Sequence, residues 1–241
     1  MDYIEKDPGL GVSYTWHNCQ MAHQEVTHRG TRLELVYRPS WGLTCYMDGV
    51  IQSCELDEEL YHRSFVNAVF KGLRSAQRVC IFGGGEGALA RTVMASPAVQ
   101  QADMYEWDMD VVQAFQRLGQ SWSRGAWTNP KLRLFYRDAF SIQAAEHPLR
   151  YEAVFIDLFD MDESTIESWI PFLKNAAAWC NGHLGLYVTT QAPFSDLKAP
   201  VLEHLSDILR TEGFLVQPLS VYIPSFHGHA TFLIAQRFPK I

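Results

Sequence analysis

Through about residue 53 the chain is built from short segments in which apolar and polar residues alternate. Gln24 to Val36 predicts a strand, a turn at Arg29-Gly30 and a second strand. Trp41 to Gln52 predicts a further strand with a turn near Asp48-Gly49. This stretch, residues 1–53, reads as a small N-terminal β-rich domain. From about Leu56 the period changes. Glu58 to Leu73 is helical, with Leu60, Tyr61, Phe65, Val69 and Phe70 near one face. Strands and helices then alternate. Strands are predicted at Arg78–Phe82, Ala102–Trp107, Leu132–Tyr136, Ala153–Ile156 and Leu184–Thr189. Helices are predicted at Ala88–Ala95, Met109–Leu118, Ile166–Trp179, ended by Asn181-Gly182, and Leu197–Glu212. Two last strands cover Val216–Tyr222 and Ala230–Gln236. Such alternation over residues 54–241 implies an α/β fold, a mainly parallel, doubly wound sheet with helices on both faces.

The first core strand runs into Gly83-Gly84-Gly85-Glu86-Gly87, and a helix starts at once. Glycines allow a sharp turn and close approach of a ligand, and a helix start offers free N–H groups. Ligands of open α/β sheets sit at the carboxyl ends of the strands. A loop of this kind is shared with dinucleotide sites and with plain turns. Glu106, at the end of the next strand, points to an adenosine-containing ligand, because an acid there can accept hydrogen bonds from both ribose hydroxyls. Glu86, inside the loop, would repel a pyrophosphate and attract an ammonium, such as the amino group of an S-adenosylmethionine-type side chain. Asp138, after the third strand, can accept from an exocyclic adenine amine or cap the following turn, and both roles can coexist. Asp157 follows the fourth strand. It either caps the next helix or, with Asp160 nearby, holds a cationic amine and takes its proton.

Composition narrows the classes. The chain has 241 residues, 47% of them hydrophobic, enough for one large α/β domain with a small appendage. The net charge of −7 comes with no basic run, so nucleic acid is a poor partner. The acidic balance suits a cationic small molecule but is also ordinary solubility charge. The five cysteines show no metal spacing, so no metal is expected, and their odd count suits a reduced, cytoplasmic protein. No apolar run approaches the roughly 18 residues of a membrane span, and no signal peptide is evident.

These motifs, in this order, resemble the polyamine aminopropyltransferase (spermidine synthase) family. Met47-Asp48-Gly49-Val50-Ile51-Gln52 is similar to its segment before the core, and Asp57-Glu58-Glu59-Leu60-Tyr61-His62 to its Asp-Glu-x-x-Tyr-His motif. The glycine loop, Glu106-Trp107-Asp108, Asp138-Ala139, the Asp157/Asp160 pair and Tyr222-Ile223-Pro224-Ser225-Phe226 match later motifs. The resemblance implies a β-rich N-terminal domain on a Rossmann-like, methyltransferase-type core, and a homodimer. It implies transfer of an aminopropyl group from decarboxylated S-adenosylmethionine to a diamine, releasing 5′-methylthioadenosine. On it, Gln52, Gly83, Gly85, Glu86, Gly87, Glu106, Asp138 and Ala139 would hold the cofactor. Asp157 would be the base, and Asp160, Tyr61, Gln191 and Phe226 would line the amine site.

Departures from the family's pattern fall on the cofactor arm and the amine half. Glu86 replaces the family's Asp. The loop after Asp160, Met161-Asp162-Glu163-Ser164-Thr165, lacks Pro-x-Gly-Pro and looks shortened. Phe226 replaces a tyrosine and loses its hydroxyl. Arg63 follows His62 where an acid is usual, which would put a positive charge near a bound cation. Two alternatives stay open on this scaffold: an S-adenosylmethionine-dependent methyltransferase and a non-catalytic nucleoside-binding relative.

Overall fold

The computed structural model describes residues 1–7, 11–143, 145, 150–161, 165–191 and 199–237. Its first six strands make two small antiparallel sheets. Strand β1 (Tyr3–Asp7) pairs with β2 (Val12–Trp16). Strands β3 (Gln20–Val26), β4 (Arg32–Arg38), β5 (Gly42–Met47) and β6 (Val50–Cys54) form a meander. The β5–β6 turn places Asp48 at φ 53° and Gly49 at φ 83°, as two-residue hairpins require. The β1–β2 pair was not expected from the alternation. One of its inward positions is Glu5, so the pattern looks polar. The structure buries that carboxylate under Arg38, Tyr46 and Trp16, whose donors it accepts at 3.3, 3.1 and 2.6 Å.

The second part begins with helix α1 (Glu58–Phe70), followed by β7 (Arg78–Gly83), α2 (Ala88–Met94), β8 (Gln101–Glu106), α3 (Met109–Leu118) and α4 (Gln120–Ser123). Then come β9 (Leu132–Tyr136), β10 (Tyr151–Asp157), α5 (Ile166–Trp179), β11 (Cys180–Gln191), α6 (Ala199–Thr211), β12 (Phe214–Ile223) and β13 (Gly228–Arg237). The seven core strands lie in the order β12-β13-β11-β10-β7-β8-β9. Strands β7 to β11 are parallel, while β13 and β12 close one edge antiparallel. This is the Rossmann-like, methyltransferase-type sheet. Helices α5 and α6 cover one face with Trp169, Phe172, Leu205 and Leu209, and α1 and α2 cover the other with Phe65, Val69, Leu89 and Val93.

Two boundaries differ from the sequence expectation, and one cannot be compared. Helix α1 stops at Phe70, because Lys71 turns to ψ 117°. Asn181-Gly182 does not separate α5 from the next strand. Cys180 is already extended while its N–H still bonds the helix carbonyls of Ala176 and Ala177, so helix passes directly into strand. The first residues of the predicted Leu197–Glu212 helix lie outside the described residues; α6 is seen from Ala199. Among the described residues no helix is long and apolar enough to cross a membrane.

The four-stranded sheet is seated on the core through Leu33, Leu35, Leu43 and Cys45, which meet Ala88, Val111, Ala114, Phe115 and Trp122. The buried Trp122 indole donates to Ser53 Oγ at 2.8 Å, tying α4 to β6. Ser53→Ala strands that N–H in an apolar setting. Urea unfolding should report a loss of about 1–3 kcal/mol; an unchanged midpoint would show that the bond carries no stability.

Candidate active site

Strand order reverses where β7 lies between β10 and β8, and there the loops after neighbouring strands run in opposite directions and open a crevice. The glycine loop stands at that point. Gly83 has φ +85°, and a Cβ on it would fall 1.9 Å from the Asp157 carbonyl oxygen. Only glycine lets the ends of β7 and β10 come so close. A Cβ on Gly85 would lie 2.9 Å from Val111 Cγ1 and 3.1 Å from Glu106 Oε2, so the loop floor must be bare there. The result is a cleft of about 920 Å³, reaching from the ends of β7–β10 to strands β1, β5 and β6 of the small sheets.

Among the acids that line this cleft, four stand at or just past the ends of four adjacent parallel strands. In sheet order they are Asp138 after β9, Glu106 at the end of β8, Glu86 after β7 and Asp157 at the end of β10. Adjacent strands lie roughly 4.8 Å apart, so the row spans about 14 Å. Glu106 is buried and uses Oε1 to accept the N–H groups of Trp107 (2.8 Å) and Asp108 (3.1 Å), leaving Oε2 beside Gly85. Burial pushes its pKa up to about 7, against those two N–H bonds, with Glu86 adding to the rise. Asp138 accepts from Phe140 N–H at 2.9 Å and so caps the short turn Ala139–Ser141 at the cleft wall.

Glu86 is paired with His62, whose Nε2 lies 2.9 Å from its carboxylate. The other ring nitrogen meets the Glu58 carbonyl at 2.7 Å and its carboxylate at 3.3 Å. Both ring nitrogens face acceptors only, which requires the imidazolium. Burial opposes the charge, but hydrogen bonds to Glu58 and Glu86 outweigh it and raise His62 to about 10. Glu58 is in turn held by Arg91 at 2.9 Å. Ligand atoms of His62, Glu86 and Asp157 lie within 4.8 Å of one another, as around a metal ion. In the arrangement seen, both nitrogens of His62 are engaged by Glu58 and Glu86.

Asp157 accepts from Tyr61 O–H at 2.6 Å. Burial lifts its pKa to about 6, against the nearby His62 charge. Burial also holds the Tyr61 phenol well above its usual range, so it stays a donor. Asp160 accepts from Tyr187 O–H, whose oxygen is also 2.9 Å from Thr190 Oγ1. Tyr61 packs edge-on to Phe226 at 5.9 Å and Phe232 at 5.1 Å. Phe226 is placed by its neighbour Ser225, which donates from N–H (2.7 Å) and Oγ (2.8 Å) to buried Asp57 at the start of α1. Gln52 and Gln191 line the same cleft, and the Gln52 amide bonds the carbonyls of Val50 and Ile51.

The sequence model of the spermine/spermidine synthase domain matches residues 58–239. The chain belongs to the spermine/spermidine synthase family. It is similar to polyamine aminopropyltransferase 1 of Hyperthermus butylicus, 29% identical over 81% of this chain and 68% of that one. It is similar to polyamine aminopropyltransferase of Mycobacterium tuberculosis, 31% identical over 89% of this chain and 39% of that one. The spermidine synthase structure from Thermotoga maritima superposes with TM-score 0.83 at 18% identity, covering 99% of this chain and 80% of its own. A second spermidine synthase structure, in complex with the transition state analogue AdoDATO, gives TM-score 0.86 at 18% identity, with the same coverage. Both superpositions concern the fold.

Gln52, Tyr61, Gly83, Gly85, Glu86, Glu106, Asp138, Ala139, Asp157, Asp160, Gln191 and Phe226, each singled out in the sequence, all line one cleft. Gly87 lies just outside, at φ +80° as the N-cap of α2. Two expectations are corrected. Asp157 does not cap the following helix, whose N-cap is Thr165. Arg63 puts no charge in the site: it is exposed, bonds Glu59 at 2.6 Å, and lies off the cleft wall. The segment 162–164 after Asp160 lies outside the described residues. The role of His62 was missed. Its signal was the four-residue spacing from Glu58, which stacks acid and imidazole on one helix face.

Glu58→Gln removes one of the two carboxylates holding the imidazolium, and the His62 pKa, followed by NMR, should drop from about 10 by at least roughly one unit. His62 is raised from an unfolded value of about 6.5. Its contribution to stability is therefore complete below that pH and fades as pH climbs through about 10. A His62→Gln variant should lose this alkaline dependence; if its pH–stability curve parallels the unaltered protein's, His62 is not the group responsible.

Proposed function

We propose that the cleft binds decarboxylated S-adenosylmethionine beside a diamine and transfers the aminopropyl group to the diamine, releasing 5′-methylthioadenosine. The observation that carries this reading is the row of acids. A nucleoside with a cationic arm has its hydrogen-bond donors in one line: purine amine, ribose hydroxyls, arm ammonium. Asp138, Glu106 and Glu86 offer acceptors in that order, and Asp157 stands one strand further on, where the acceptor amine must come.

In this reading the amine nitrogen attacks the carbon next to the sulfonium. The C–N bond forms as the C–S bond breaks, and the bonding pair leaves on sulfur as a neutral thioether. The nitrogen then sheds a proton to Asp157. The protein's task is alignment and proton removal. Tyr61 holds the Asp157 carboxylate in place, Tyr187 does the same for Asp160, and the two acids grip the amine. Gln52 and Glu86 contact the aminopropyl arm, with His62 fixing Glu86. Gln191 and Phe226 line the methylene path. The names of the two curated relatives described above, both polyamine aminopropyltransferases, support the same reaction. We extend the reading to a cytoplasmic homodimer, with residues 1–53 as the small domain and 54–241 as the catalytic one.

Incubation with decarboxylated S-adenosylmethionine and putrescine, cadaverine, spermidine or agmatine should release 5′-methylthioadenosine with at least one of them. Release of S-adenosylhomocysteine from the intact cofactor instead, or no methylthioadenosine with any of these amines, would overturn the proposal. Asp157→Asn should cut turnover by about 10²–10⁴-fold while 5′-methylthioadenosine still binds. Since Asp157 must be ionised to accept a proton, kcat/KM should fall about tenfold per pH unit below about 6. A profile flat down to pH 5 would remove Asp157 from the role of base.

A further inference from the structure

The turn between β12 and β13 is gripped at successive residues. Ser225 is bound to Asp57 at the start of α1. Phe226 lays its ring against Tyr61, the phenol that donates to Asp157. Gly228 packs so closely on β11 that a Cβ there would fall 2.5 Å from the Gln191 carbonyl oxygen. His227, between Phe226 and Gly228, is held at φ 53°, in the left-handed region that residues with a Cβ rarely adopt. Such a conformation persists only where the surroundings over-determine it. His227 lines the cleft, yet the reaction proposed above makes no use of it.

What His227 meets is the β1–β2 pair. Its ring centre lies 4.2 Å from that of Tyr14 and 5.8 Å from that of Trp16, stacked on the second at 16°; both partners are in β2. Its Nε2 is buried without a hydrogen-bond partner, and Glu5 Oε1 of β1, at 3.6 Å, is beyond hydrogen-bond reach. The ring, not the nitrogen, therefore makes the contact. Among the described residues, β1 and β2 share no strand ladder with the other sheets. The pair is attached by side chains, with Arg38 donating to Glu5 and Tyr3 O–H to Glu34 at 2.9 Å, and by the Lys6 N–H on the Gly49 carbonyl at 2.8 Å. Asp157, Tyr61, Phe226, His227 and Glu5 all line the cleft, each next to the one before, so one wall runs from the proposed base to β1.

We propose that His227 is a positioning residue for the acceptor amine: its ring docks the β1–β2 pair against the amine half of the cleft and fixes the turn that carries Phe226. The inference rests on the amine half of the proposed function and adds what holds its outer wall. A wall set in place before the amine arrives costs less ordering on binding. The pair has few attachments of its own, so loss of the ring contact loosens that wall. Glu86, Glu106 and Asp138, the acids proposed for the cofactor, are untouched by it. Amine affinity therefore depends on His227, and nucleoside affinity does not.

Titration calorimetry separates the two ligands without turnover. The full chain is titrated with 5′-methylthioadenosine and then, saturated with it, with putrescine, cadaverine, spermidine and agmatine. His227→Ala and Tyr14→Ala should each weaken the tightest-binding amine by about three- to tenfold, as for loss of an aromatic pair, and leave the nucleoside within about twofold. His227→Phe, which keeps a ring, should hold the amine within about twofold. Both alanine changes remove one shared contact, so the double variant should lose no more than the larger single one. Tyr14→Ala, at a half-buried position, decides the matter if His227→Ala does not fold. Amine binding unchanged in the alanine variants, an equal loss of nucleoside, a phenylalanine variant as weak as alanine, or losses that multiply in the double variant would each overturn the docking role. If the unaltered protein binds none of the four amines, the amine site and its wall fail together. Amine binding without aminopropyl transfer counts against the reaction alone, and the variants still decide the wall.

Discussion

The charge balance of the cleft depends on one buried imidazolium. Glu58, Glu86 and Asp157 gather around His62, in a region poorly screened by water. Without a cation among them, like-charge repulsion and burial would force at least one carboxyl to take a proton. His62 supplies that cation and lies against Glu86, and Arg91 pairs with Glu58 from behind. The compensation is incomplete further out. Asp157 is pushed up to about 6 and Glu106 to about 7, chiefly by burial. These carboxylates are held in an environment that favours their neutral form, so a cation brought beside Asp157 gains more than it would at a surface acid. A site short of positive charge in this way selects ligands that supply it.

Sheet topology converts chain order into ligand order. Along the sequence the acids come as Glu86, Glu106, Asp138 and Asp157. Across the sheet the first three run outward from the switch point in one direction and Asp157 stands on the other side. The reversal sets the proposed amine site next to the cofactor's arm rather than next to its base. Had β10 been added beyond β9, the base and the reacting carbon would lie three strands apart, about 14 Å. The close approach of β7 and β10, possible because Gly83 has no Cβ, is what makes the displacement geometrically feasible.

The core and most of the site were legible in the sequence because both follow from strand ends. Short apolar runs marked the parallel strands, and an acid just past each run had to face the crevice. What could not be read depended on partners distant in the chain. Glu5 makes β1 look polar, and only Arg38, Tyr46 and Trp16, brought over by folding, let it be buried. Asn181-Gly182 resembles a helix stop, yet pairing with β10 pulls this segment into the sheet. Arg63 adjoins His62 in sequence, but a helix turns about 100° per residue. His62 therefore faces Glu86 while Arg63 faces solvent and Glu59. The Glu58–His62 spacing was available and carried the missing information; its meaning needed Glu86 opposite.

The amine end shows how a lost hydroxyl can matter less than its position suggests. Phe226 keeps a ring where the resemblance led us to expect a tyrosine. Two other hydroxyls already serve that end: Tyr61 on Asp157 and Tyr187 on Asp160. Both phenols are held protonated by burial, so they donate and do not compete for the amine's proton. The Phe226 ring is still fixed, since Asp57 takes both the N–H and the hydroxyl of Ser225 and so locks the short turn to the start of α1. The same helix carries Glu58 at its first position and Tyr61 and His62 one turn further along. One rigid helix thus sets the ring that lines the amine path, the donor on the proposed base and the cation on Glu86. Changes at its start should propagate to all three together, which makes α1, more than any single loop, the element that determines how the two substrates meet.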